Sequence, residues 1–130
     1  MTMKNKEYKI LIKNTDMHGE KYFEKTMLTL TEEKNKITYK FSTKLGDCVV
    51  QLENDTLFFE RSGAGYLNFK LNMNEKNQFF YKTEFFENIL FVECDKINFD
   101  KNSKNLEFNY RLFDSAENII NEITTFIKVM

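Results

Sequence analysis

The 130-residue sequence has no proline and only four glycines. That leaves no Pro-rich or Gly-rich linker to divide it, and no repeat of fixed period is visible. Cysteine is nearly absent too: Cys48 and Cys94 stand far apart with no Cys-x-x-Cys pair, and there is a single histidine, His18. Neither a zinc-finger spacing nor a three-ligand catalytic zinc site can be drawn from that set, so no metal and no cofactor are expected. The thiols fit a reducing cytoplasm. Charge of either sign is not in excess, since 19 basic residues meet 20 acidic ones. Nucleic-acid binding usually rests on surplus positive charge, and an acidic membrane surface asks for the same, so neither partner is expected. Long apolar runs are missing as well. Ile10-Leu11-Ile12 is cut off by Lys13, short of the roughly 7–15 apolar residues of a secretion signal. Nothing approaches the roughly 20 of a membrane-spanning helix. The expected location is therefore the cytoplasm.

What is present is apolar and patterned. Hydrophobic residues make up 42% and charged residues 30%, enough for a buried core in one domain spanning 1–130. Ile37-Thr38-Tyr39-Lys40-Phe41-Ser42 alternates cleanly, as do Leu67 to Leu71 and Leu106 to Leu112. Such period-two alternation marks strands with one face buried. Less regular runs cover Tyr8 to Lys13, Tyr22 to Leu30, Cys48 to Glu53, Thr56 to Arg61, Gln78 to Thr83, Ile89 to Phe99 and Glu122 to Val129. Between them lie turn-forming clusters: Asp16 to Glu20, Glu32 to Asn35, Leu45 to Asp47, Glu53 to Asp55, Asn72 to Asn77 and Asp100 to Asn105. Nine or ten closely spaced strands predict an all-β antiparallel sandwich or barrel. One stretch reads otherwise: Ala116, Ile119, Ile120 and Ile123 recur at helical spacing behind a possible Ser115 cap, which predicts a short helical turn before the last strand. Lysine outnumbers arginine 17 to 2 and asparagine is abundant, so a given Lys or Asn carries little functional weight.

From about residue 53 to 128 an ordered set of features is distinctive: Glu60-Arg61-Ser62-Gly63-Ala64, Leu67-Asn68-Phe69, Tyr81 to Phe85, Asp95 to Asp100 and Leu106 to Leu112. This resembles the YwiB-like family of uncharacterised bacterial proteins. The Arg-Ser-Gly-Ala stretch is its most specific part. The resemblance implies an up-and-down calycin-like (lipocalin-like) β-barrel of about 8–10 strands, whose superfamily members often hold a small apolar molecule. It supplies no reaction. Two departures stand out: Tyr66 to Leu71 replaces a Gln-rich strand, and Phe86 occupies a turn position commonly held by glycine.

Arg61 shares strand parity with Leu57 and Phe59 and so is expected to point into the barrel. It could grip a ligand carboxylate or phosphate in a bidentate fork. The more common alternative is an internal salt bridge, or a latch closing one barrel end, because buried charges are normally paired. Tyr39, Tyr81 and Tyr110 lie on apolar strand faces and could add hydroxyls to a site with Arg61, although such tyrosines are more often plain core residues. Ser62 to Gly65 lacks the lysine and following helix of a phosphate loop and reads as a bulge or tight turn. His18 falls in a turn, which suits neither haem ligation nor a partner for Ser62. Glu32-Glu33, Asp95 and Asp100 read as solvated turn charge.

Phenylalanine is unusually frequent, with 14 residues. At Leu57-Phe58-Phe59, Phe79-Phe80-Tyr81 and Phe85-Phe86 it breaks the alternation and puts aromatics on both faces of the wall. The expected function is thus a carrier or sensor of a small hydrophobic or carboxylate-bearing ligand. The alternative is a non-catalytic module that forms a homodimer or docks on a protein through Phe58 and Phe80. An enzyme ranks last, because no nucleophile–base pair converges in the sequence.

Overall fold

Alternating side chains can bury one face only by bending the sheet back on itself, and that is what this chain does. The computed structural model describes residues 4–63, 65–85 and 87–130. Among them run β1 (Lys4–Thr15), β2 (Lys21–Glu33), β3 (Lys36–Thr43), β4 (Gly46–Glu53), β5 (Thr56–Gly63), β6 (Gly65–Asn72), β7 (Lys76–Thr83), β8 (Glu87–Glu93), β9 (Ile97–Phe99), β10 (Leu106–Phe113) and β11 (Ile119–Val129). Neighbours from β1 to β8 pair antiparallel in sequence order. The last strand, β11, pairs with both β1 and β10, and β10 pairs with β8, so the sheet closes into a ring. Closure removes free sheet edges. The architecture is the expected antiparallel barrel, consistent with a calycin-like fold. Ala64 and Phe86, which carry part of the resemblance and one of its departures, lie outside the described residues.

Two details differ from the expectation. The run from Ile89 to Phe99 is two strands rather than one. β8 pairs with the last residues of β10 through Glu93–Arg111, whereas β9 pairs with its first residues through Phe99–Leu106. Arg111 spans the break, donating to Glu93 Oε1 at 2.8 Å and to Asp95 Oδ2 at 2.8 Å. The expected helical turn is also absent: Ile119, Ile120 and Ile123 belong to β11. Asp114, not Ser115, organises the preceding turn by accepting from the amides of Ala116 and Asn118, each at 2.9 Å. Glu117 there has φ 65. Two open strand edges were available to a segment rich in β-branched residues, and tertiary pairing overrides a four-residue helical stripe.

Inside, the barrel is filled. Phe59 and Phe69 stack at 5.1 Å between ring centroids, and Phe69 also meets Tyr110 at 5.0 Å and Phe79 at 5.2 Å. Phe108 lies against Tyr110 at 6.2 Å. Aliphatic side chains from every side, such as Ile10, Leu28, Val50, Leu71, Val92 and Ile127, surround this aromatic cluster. Close packing of this kind is the ordinary state of a protein interior.

Candidate functional site

One mouth carries the turns at 16–20, 44–45 and 114–118. Arg61 sits near it, on β5, opposite Cys48 of β4 and Leu67 of β6. Both neighbours are buried, so the arginine shares the inward face, as its parity predicts, and is itself half-buried. The same transverse row continues to Tyr81 on β7. Arg61 makes no ion pair and no side-chain hydrogen bond with a described residue. Its positive charge nevertheless reaches the Cys48 thiol and the Tyr110 hydroxyl, and opposes the rise that burial causes in each. Burial dominates: it pushes Tyr110 up to about 12.

Tyr110 also has no hydrogen-bond partner among the described residues, and its hydroxyl is not one of the sealed, unsatisfied atoms, a class to which Asn72 Oδ1 belongs. Glu24, on the partly buried face of β2, is engaged elsewhere. It accepts from the Tyr22 hydroxyl and from the Lys44 amide. Around the mouth the turns and strand ends carry exposed apolar side chains: Met17, Leu45, Phe85, Ile119 and Ile120.

The Arg-Ser-Gly segment has a structural reason of its own. Gly63 faces Gly46 in register, and a Cβ on Gly63 would stand 2.4 Å from the Leu45 carbonyl oxygen. A Cβ on Gly46, whose φ is 138, would stand 2.1 Å from the Ser62 carbonyl oxygen. The two hairpins meet backbone to backbone, a contact open only to glycine. This fixes the height at which Arg61 enters the barrel.

The other proposed site residues divide. Tyr81 is half-buried on the inward face, with its hydroxyl 3.3 Å from the position of a Cβ on Gly65. Tyr39 is not brought to Arg61. It is fully buried and donates to the Lys104 carbonyl at 2.7 Å, at the opposite mouth. Burial, and then the charge of Glu32, push its pKa upward. Arg111, on the outward-facing parity of β10, makes the ion pairs that Arg61 lacks among the described residues, a role the sequence did not single out. Its guanidinium holds Asp95 below the usual carboxylate range, with Asn109 adding a second hydrogen bond.

His18 is exposed on its turn, and Ser62 faces outward opposite Asp47. Cys48 and Cys94 are free and buried, and burial raises both thiols. Such thiols are poor nucleophiles. No group of three His, Cys, Asp or Glu side chains suited to a metal occurs among the described residues, and no helix among them is long and apolar enough to cross a membrane.

The second mouth, missed in the sequence, holds a cleft of about 640 Å³. Its floor includes Ile37 and Leu52, a direct register pair, and its wall includes Ile97 and Phe99 of β9. Elsewhere in the wall the β6–β7 ladder runs only from Gly65–Thr83 to Leu67–Tyr81. Beyond it, Asn77 Nδ2 donates across the parted strands to the Lys70 carbonyl at 2.9 Å. The parity of Ile37 and Leu52 was legible, but nothing in the sequence shows that their end of the barrel is left uncovered.

The fold is shared with a solved structure, the crystal structure of the ywiB protein from Bacillus subtilis. The TM-score is 0.75 at 17% identity, over 98% of this chain and 95% of that one. No curated protein matches the sequence. The model of a domain of unknown function, DUF1934, matches residues 7–125. It takes in the ring from β1 into β11 and the Arg61 segment with it, and the chain belongs to that family.

Proposed function

We propose that the barrel is a non-catalytic binding protein for a small amphipathic carboxylate, taken at the Arg61 mouth. The carrying observation is the inward-facing, half-buried Arg61 guanidinium with no anionic partner among the described residues. A half-buried cation with no counter-charge beside it attracts an anion, and the planar guanidinium matches a carboxylate in two parallel hydrogen bonds. Tyr110 offers a hydroxyl within reach of the same charge. The packed centre leaves the ligand's apolar part at the rim, beside Leu45 and its exposed neighbours. The reading places the protein in a reducing cytoplasm, supported by two buried free thiols.

Native mass spectrometry of protein purified without denaturant, followed by titration with dodecanoate, tests the proposal. A stoichiometric adduct that disappears in Arg61→Ala, with the fold intact by circular dichroism, is the expected result. An Arg61→Ala protein that fails to fold would assign the residue a structural role, and wild-type protein that takes no carboxylate would remove the reading.

A second reading rests on the outer wall. Phe80 is 56% exposed and pairs in register with Ile89, which is 40% exposed, while Phe58 stands nearby on β5. Self-association through this face would make the protein a homodimeric interaction module, and Phe80→Ser would then lower its assembly size.

A further inference from the structure

We infer that the cleft at the opposite mouth is a second binding site, independent of Arg61, for a compact hydrophobic organic anion. Its size falls within the range of small-molecule sites, roughly 300–1,000 Å³. The floor is apolar: Ile37, Leu52, Ile97 and Phe99 pack against the core yet remain only partly buried. These side chains are covered from inside the barrel and left uncovered toward the cleft.

One wall is preformed. Within the 100–105 loop the Asp100 amide donates to Asn105, and Lys104 donates back to the Asp100 carbonyl. The Asp100 carboxylate accepts from the amides of Asn102 and Ser103, which lowers its pKa. Tyr39 anchors the loop from beneath through the Lys104 carbonyl. A wall held in this way loses little freedom on binding.

The sign of the ligand follows from the rim. Four lysines and three carboxylates surround the cleft: Lys34, Lys36, Lys101 and Lys104, with Glu32, Glu33 and Asp55. Lys36 pairs with Glu33 at 3.7 Å and Lys104 with Glu32 at 3.4 Å. Both glutamates are thereby used, whereas Asp55 has no ion-pair partner among the described residues, so the rim keeps one positive charge in excess. Lys34 on the β2–β3 turn and Lys101 on the facing loop have no ion-pair partner among the described residues. An anionic group on an apolar body meets these two ammonium groups while its skeleton covers the floor.

The test uses two fluorescent probes on the full chain, 8-anilinonaphthalene-1-sulfonate and its uncharged analogue N-phenyl-1-naphthylamine. In Arg61→Ala, where the other mouth has lost its cation, the sulfonate should give saturable, one-to-one enhancement and bind more tightly than the uncharged probe. The double variant Lys34→Glu with Lys101→Glu should weaken the sulfonate at least tenfold and erase the preference, and Arg61→Ala should leave both affinities unchanged. No saturable binding, equal affinity for the two probes, or insensitivity to the lysine pair would each overturn the inference. Loss of the sulfonate in Arg61→Ala would place the probe at the other mouth and overturn it as well.

Discussion

The two mouths of this barrel are built on opposite plans. At the cleft the turns are polar, Asn54 and Asp55 take positive φ values of 51 and 58, and a densely hydrogen-bonded loop is anchored by Tyr39. Two ion pairs brace the rim there, Lys34, Lys101 and Asp55 have no ionic partner among the described residues, and the apolar surface lies below. At the Arg61 mouth the order is reversed. Exposed apolar side chains stand among the polar turn residues of the rim, where Phe85 is 87% exposed, and a cation without an ionic partner among the described residues lies inside. Solubility alone would favour polar turns at both ends. The difference teaches that exposure and pairing have to be read together: an exposed Phe or an unpaired Arg is ordinary singly, but the two at one opening make a surface suited to an amphipathic molecule.

The comparison depends on the packed middle that separates the mouths, so the largest effect is expected there. Phe69→Ala removes a ring that touches Phe59, Phe79 and Tyr110. It should cost about 3–5 kcal/mol in denaturant unfolding. It should also let the barrel take up a small apolar molecule such as benzene, detectable by shifts of core methyl resonances. Next comes the backbone pass at the Arg61 mouth. Gly63→Ala drives a methyl against the Leu45 carbonyl, and overpacking of this kind costs about 1–3 kcal/mol. Dodecanoate binding should fall with it while the sulfonate probe is held as before.

Tyr39→Phe makes the complementary break. Losing the bond to Lys104 should cost about 1 kcal/mol by thermal unfolding. It should weaken the sulfonate probe and spare the carboxylate. The smallest effect concerns acid. Arg111, then Asn109, holds Asp95 low in the folded chain, so the folded form binds that proton less readily than the unfolded one. Its contribution is complete above the unfolded value of about 3.9 and fades as pH falls through the lower folded value. Asp95→Asn should therefore be slightly less stable than the wild type near neutrality, by under about 1 kcal/mol for so exposed a pair. The gap should close on acidification, and an unchanged gap at low pH would assign the loss to something other than this carboxylate.

Alternation and turn chemistry made the barrel legible, because Ile37-Tyr39-Phe41 and Leu106-Phe108-Tyr110 each declare a face without help from the rest of the chain. The break between β8 and β9 was not legible. It depends on Asp95 finding Arg111, a pairing no local pattern encodes. The β11 segment misled for the related reason that Ile119 and Ile120 carry a helical spacing while the edges of β1 and β10 decide their conformation. Parity pointed Arg61 inward, yet its lack of an ionic partner among the described residues is a property of the assembled interior. Tyr39 illustrates the limit from the other side: its inward face was readable, but its carbonyl acceptor lies in a distant loop.

The ring closes through β11 alone, which lies between β1 and β10. During synthesis the first strand must therefore wait, with one side unpaired, until the last has left the ribosome. An unpaired strand is a template for joining another chain, and contacts between the ends of a sequence form slowly. For this protein the hazardous interval is the one before residues 119–129 arrive, when nascent chains are most exposed to pairing with each other and to holding by a chaperone.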